Sequence, residues 1–294
     1  MRSYQGAVLF VDMLGFSVLT RGQLKLGREE CEPWSVDAEG DFPHQLLAAK
    51  ILITFRKVLK QIKTDFEAVQ LAQLSDCAFL WSEDVGAVAD AGRRLMNEAV
   101  SIGLLCRGGL AFGDILEPDK PAHSLGAFIV GDAVTRAATF EAMGKGMRIF
   151  TDEDSATYVR KVRRDEVFHP LVDPLTGRTV DEWRWYEPRR SLRFEQDAAK
   201  LCAEVERLVG CHTMLRYSPR FAWSATTPEG RRQIACSIVA VSDAMERLSN
   251  NGTFEFTAEH LMASQWGRSD TGRKRVHEDF VSEILAAIQS AEKS

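Results

Sequence analysis

The apolar positions of this chain fall into short unbroken runs that alternate with longer helical stripes. Ala7-Val8-Leu9-Phe10-Val11 runs straight into Asp12, and Gly15 follows three residues later. A continuous apolar run of this length predicts a strand buried on both faces. A carboxylate at its end has to reach water, a cation or a ligand, because an unpaired buried charge is costly. Residues 69–74 and 77–81 flank Ser75-Asp76 and predict a hairpin with Asp76 at its tip. Between these strands Leu47, Ile51, Phe55, Val58 and Ile62 recur at helical steps. Asp84 is placed to cap a second helix, in which Val85, Val88, Leu95, Ala99 and Ile102 keep the same period. Residues 106–113 predict a glycine-rich strand, 127–130 a short strand, 131–143 a helix and 147–151 a last strand. This order predicts an α+β fold with a ferredoxin-like βαββαβ core.

Residues 21–43 interrupt the pattern. They mix Gly22, Gly27, Pro33, Gly40 and Pro43 with charges and predict a long loop, either a surface insertion or a flap beside the site. After about residue 160 the character changes. Residues 180–186 alternate around Trp183 and Trp185 and are expected to pair with 167–172. Beyond Pro188 the pattern is helical: Leu201, Val205 and Leu208 mark one stripe, and Val276, Phe280, Ile284 and Ile288 mark another. Ile234, Ile238, Val241, Met245 and Leu248 alternate steps of four and three, a heptad-like seam. The expected organisation is a catalytic core over 1–160, a β-hairpin extension over 161–190 and a helical region over 191–294. That last region either caps the sheet or forms a partner-binding module.

Composition narrows the class. The chain has 294 residues, 45% of them hydrophobic, which suits a globular protein. A net charge of −5 argues against non-specific nucleic-acid binding, which needs a basic surface. No apolar run approaches the roughly 18 residues of a membrane span, and no secretory signal is visible before the first strand. Six cysteines are scattered without a C-x-x-C pair, as in a reduced cytoplasmic protein. His44, His123, His169, His212, His260 and His277 are isolated, with no metal-ligand spacing.

Two strand-end aspartates that meet in space make an oxygen site for Mg²⁺ or Mn²⁺, the usual companions of a triphosphate. Gly15 lets the backbone turn with its N–H groups toward phosphate oxygens. Val11-Asp12-Met13-Leu14-Gly15-Phe16-Ser17 resembles the strand-one motif of the class III nucleotidyl cyclases, a family that extends to the bacterial antiphage pyrimidine cyclases. Leu74-Ser75-Asp76 is similar to that family's second metal-binding hairpin. Arg107-Gly108-Gly109-Leu110-Ala111-Phe112-Gly113 resembles its following strand, and Val130-Gly131-Asp132-Ala133-Val134-Thr135-Arg136-Ala137-Ala138 the opening of its transition-state helix. The likeness covers about residues 5–160. It implies two Mn²⁺ or Mg²⁺ ions held by Asp12 and Asp76, with the Met13 carbonyl as a further ligand. It also implies that Met13, Leu14, Gly15 and Phe16 lie beside the substrate and that Arg107 grips the triphosphate. A homodimer is implied, with the aspartates from one subunit and the Arg136 side from the other.

The chain departs from the family at two places. The asparagine and arginine that stabilise the transition state in adenylate and guanylate cyclases fall at Thr135 and Thr139. Arg136, next in the chain, is the residue placed to supply the charge. The lysine that reads purine falls at Ala72 and its partner near Phe128. Neither hydrogen-bonds a purine edge, although Gln73 is a neighbour able to contact a base. A buried polar edge left unpaired costs binding, which argues against ATP and GTP. The expected activity is conversion of UTP to 3′,5′-cyclic UMP and pyrophosphate, with CTP as the alternative substrate. The resemblance implies an antiphage role in which the cyclic nucleotide reaches a separate effector protein. The rival reading is a catalytically silent, cyclase-like nucleotide sensor.

Overall fold

The structure, a computed structural model, describes residues 1–119, 128–172, 177, 179–189, 194–217, 227–249 and 270–293. Seven strands form one sheet: β1 (Arg2–Met13), β2 (Gln70–Leu74), β3 (Cys77–Ser82), β4 (Cys106–Glu117), β5 (Ile149–Thr151), β6 (Phe168–Val172) and β7 (Thr179–Trp183). Their order is β2-β3-β1-β4-β5-β7-β6. The first four are antiparallel, and with α3 (Pro43–Asp65) and α4 (Val85–Ser101) they make the expected ferredoxin-like core. Each helix returns the chain over one intervening strand, the split βαβ arrangement. Then β5 joins β4 in parallel and β6–β7 complete that edge.

The period of two along β1 divides the core. Ala7, Leu9, Val11 and Met13 face the larger apolar cluster, which holds Leu47, Ile51 and Phe55 of α3 and Val88, Leu95 and Met96 of α4. Val8 faces a smaller cluster on the opposite side with Ala133, Ala137 and Phe140 of α5 (Asp132–Ala142), and Phe10 packs against it. Asp12 continues this second set.

The helical region completes the larger cluster. α7 (Phe194–Tyr217), α8 (Pro228–Ser249) and α9 (Asp270–Glu292) send Leu201, Val205, Leu208, Val241, Met245, Ile284 and Ile288 into it beside Trp185 and Tyr186. These stripes therefore pack on the core. The Val276 side chain lies outside the described residues.

Some expectations need correction. Of the expected strand 127–130, residues 128–130 form only an isolated bridge between Val130 and Leu116, and Ala127 lies outside the described residues. β4 instead runs on to Glu117, because the outer half of β1 from Arg2 onward pairs with it. Residues 21–43 hold a short helix, α2 (Arg28–Cys31), and a 3-10 turn at Glu32–Trp34, so this stretch is not loop alone. All six cysteines are free thiols. Among the described residues no helix is long and apolar enough to cross a membrane.

Candidate functional site

Cross-strand pairing puts Cys77, Asp12 and Arg107 on one rung of β3, β1 and β4. Directly opposed residues point to the same face, so all three share the face that α5 covers. The Met13 N–H donates to the Asp76 carbonyl at 3.1 Å and ties the hairpin tip to β1 one residue beyond Asp12. Ser75, the other tip residue, has a φ of 55° and closes the two-residue turn.

Beyond Asp12 the chain turns at Gly15, whose φ of 79° lies in the left-handed region that favours glycine, and enters α1 (Phe16–Thr20). The Leu14 N–H donates to the Leu105 carbonyl at 2.8 Å. The side chains of Met13, Leu14 and Phe16 are buried in the core, so this segment offers a ligand its backbone rather than its side chains.

Sequence reasoning missed Glu141. α5 rests directly on β4 at Gly109, where a Cβ would overlap the Ala137 carbonyl oxygen and the Glu141 nitrogen. That approach turns the Glu141 carboxylate inward, where its Oε1 meets the Arg107 Nε as an ion pair. Neither of these two buried atoms has an aligned hydrogen bond. Arg107 Nη2 lies 3.7 Å from Asp12 Oδ2. A signal existed in the sequence: Ala133 and Ala137 mark a helix face at steps of four, and the next position on it is a glutamate.

The electrostatics are unbalanced. Burial, then the Glu141 and Asp76 carboxylates, push the Asp12 carboxyl up to about 7 against the pull of Arg107. Burial also raises Glu141, opposed by Arg107 and Lys145. Burial and the neighbouring carboxylates of Asp12 and Asp76 hold the Cys77 thiol up at about 11, so it stays protonated. A cation would relieve this crowding of negative charge.

The donor set fits Mg²⁺ or Mn²⁺, hard ions usually bound through one or two carboxylates plus substrate phosphates. Among the described residues no group of three or more His, Cys, Asp or Glu side chains is arranged to hold a metal ion. Asp12, Asp76 and the Met13 carbonyl are the oxygen donors expected for such an ion, and Asp76 is near enough to raise the Asp12 carboxyl.

Arg136 stands elsewhere. Its Nη1 donates to the Phe112 carbonyl and to Asp132 Oδ2, both at 3.0 Å, and its Nη2 donates to Ser155 Oγ at 3.3 Å. It is also paired with Asp152, the cap of α6 (Glu153–Val162). Phe112 lies five residues along β4 from Arg107, about 16 Å. The structure therefore does not bring Arg136 to the Asp12 of its own chain.

Thr135 and Thr139 are exposed on α5 and bond back to the carbonyls of Gly131 and Thr135. Ala72 is half-buried on β2 opposite Phe79, whose ring lies 4.5 Å from that of Phe10. Phe128 is half exposed ahead of the Val130 bridge. Gln73 accepts from Arg56 at 3.0 Å and donates to the Ser75 carbonyl at 2.9 Å, so both ends of its amide are engaged. Arg148, just before β5, pairs with the buried Glu182.

No protein-family model matches the chain, and no curated protein matches it. Among solved structures it is similar to a bacterial light-regulated adenylyl cyclase at 17% identity, over 63% of this chain and 92% of that one, with a TM-score of 0.44. The guanylyl cyclase Cya2 is similar at 13% identity, over 62% and 91%, with a TM-score of 0.44. The guanylyl cyclase domain of the RhoGC fusion protein from the aquatic fungus Blastocladiella emersonii is similar at 20% identity, over 62% and 97%, with a TM-score of 0.40.

Proposed function

We propose that this chain is a nucleotidyl cyclase acting on a pyrimidine nucleoside triphosphate. The observation that carries the reading is the Asp12–Asp76 end of the sheet. There, like charges crowd at the edge of the core, and the one arginine beside them, 3.7 Å from Asp12, does not outweigh burial and the neighbouring carboxylates. Strongly perturbed carboxylates in such a place mark functional sites more often than structural ones.

In this reading Asp12 and Asp76 would hold two divalent ions, whose charge would stabilise the attacking and departing oxygens of an in-line displacement. Arg107 grips the triphosphate through its forked N–H groups. The backbone from Met13 to Phe16 borders the phosphates. The substrate's 3′-hydroxyl gives its proton to solvent water and its oxygen attacks the α-phosphorus while the bond to pyrophosphate breaks.

Phe10, Ala72 and Phe79 form a half-buried apolar shelf on the same sheet face. Such a surface stacks a base without reading a purine edge. UTP is the favoured substrate and CTP the alternative. The proposed homodimer would complete the site with the exposed Thr135 face of a second copy, freeing Arg136 for the transition state. The motif resemblance supports the further proposal that the cyclic product acts on a separate effector in an antiphage response.

The silent-sensor reading has an observation of its own: Arg136 is already bound within its chain by Asp132, Asp152 and the Phe112 carbonyl. Incubation with each of the four nucleoside triphosphates and Mn²⁺, with products read by mass spectrometry, separates the readings. UTP or CTP should be cyclised at least tenfold faster than ATP or GTP, about 1.4 kcal/mol in the barrier. Equal or faster turnover of ATP would overturn the pyrimidine assignment. Metal binding without turnover of any nucleotide would leave the sensor.

A further inference from the structure

We propose that Glu141 is a positioning residue that holds Arg107 away from Asp12 and aims it at a triphosphate; the substrate in this role rests on the cyclase reading above. The geometry is that of a shared cation. The Nε side of the Arg107 guanidinium rests on Glu141 Oε1, while Nη2 faces Asp12 Oδ2 at 3.7 Å. That distance is beyond hydrogen-bonding range. A guanidinium on a flexible stem, placed beside a lone carboxylate, closes into a bidentate pair. Here the second carboxylate competes for it. Glu141 is only 8% exposed, and its backbone is fixed by the contact of α5 with Gly109, so it is the less mobile partner.

The consequence is a division of labour. With its Nε side ion-paired to Glu141, Arg107 keeps its terminal N–H groups for an anion. Asp12, released from a tight arginine pair, keeps its oxygens for a cation. A single arginine beside two carboxylates thus serves both halves of a metal–triphosphate complex. The sequence signal is the charged residue in the apolar stripe of α5.

Binding of inorganic tripolyphosphate in the presence of Mn²⁺, measured by calorimetry on the full chain, tests this without needing turnover. E141Q is isosteric and removes only the charge; it should weaken tripolyphosphate at least fivefold. In an R107A background the same substitution should change binding less than twofold, because the effect runs through Arg107. R107K keeps the charge but has no Nε to be held, and it should lose affinity to the same degree as E141Q. This second variant decides the matter if E141Q melts below the assay temperature.

Where turnover is measurable, E141Q should raise the KM for the nucleotide at least fivefold while kcat changes less than threefold. Binding by E141Q within twofold of wild type would overturn the proposal. An undiminished effect of E141Q in the R107A background would overturn it too, as would wild-type protein that binds no tripolyphosphate. If no nucleotide is turned over but the tripolyphosphate series behaves as stated, the positioning role stands and the cyclase activity alone falls.

Discussion

Two clusters of charge lie at the edges of this core and are built in opposite ways. Around Glu166, every carboxylate oxygen is engaged. Trp183 donates to it at 2.8 Å, Arg93 at 3.2 Å and Arg189 at 2.9 and 2.6 Å. Arg189 and Arg163 similarly clasp Asp90. Burial alone would raise both acids, yet arginines carry both below the usual carboxylate range, helped at Glu166 by the Trp183 N–H. Around Asp12 the balance is reversed: burial and two further carboxylates outweigh a single arginine, and Asp12 rises to about 7. A cluster that joins elements is satisfied by its own residues, whereas one that binds leaves charge for a ligand to complete.

The largest expected effect comes from removing the incomplete cluster's acids. D12N or D76N should lower turnover by about 10³-fold or more, about 4 kcal/mol in the barrier. The melting temperature should hold or rise, since a repelling charge is lost. A D76N protein with normal turnover would break the assignment of that end of the sheet as the reactive one.

The satisfied cluster should answer in the opposite currency. E166A takes a buried carboxylate from two arginines and the acceptor from the Trp183 N–H, and removing one partner of a buried ion pair costs about 3 kcal/mol of stability. Chemical denaturation measures it. At a temperature where the variant is folded, turnover should stay near wild type, because none of these groups touches the Asp12 site. A stable E166A protein that has lost activity would show that the two clusters are not separate in role.

Much of this architecture was legible in the sequence, and the reason is periodicity. The run from Ala7 to Val11, the 47–62 stripe and the paired runs around Asp76 each report a local period, and the strands and helices follow them. The rung of Asp12 with Arg107 was not read from the sequence, because it depends on the register in which β1 and β4 pair. Glu141 was not legible as a site residue, because its inward turn depends on a helix resting on Gly109, a contact between segments 32 positions apart (141 − 109). The Arg148–Glu182 pair was not legible for the same reason: Glu182 arrives from β7. Strand 127–130 failed because β4 was read as ending at Gly113, leaving its outer half unassigned. Local pattern shows which elements form, whereas buried charge pairs depend on which elements meet.

The smallest effect is a slope with pH, and it separates the two clusters by sign. For Asp12 the folded value of about 7 lies above the unfolded 3.8. Between these values the folded state binds more protons than the unfolded one. Stability therefore falls as pH rises, by at most about 1.4 kcal/mol per pH unit. For Glu166 and Asp90 the folded values lie below the ordinary ones, so their contribution is held at neutral pH and lost as pH falls through the acid range. His169, lowered to about 4, and Glu187, raised to about 6, titrate in the same window. The difference between wild type and D12N isolates the Asp12 part, although the raised Glu141 beside it shares in the apparent titration. In urea unfolding without divalent ions, D12N should gain on wild type as pH rises from 4.5 to 7.5. Excess Mn²⁺ should shrink that gain at pH 7.5, because only wild type keeps both carboxylates for the ion. A wild-type minus D12N difference that is flat across this range would mean that Asp12 is already neutralised by Arg107, and the contrast between the clusters would go with it.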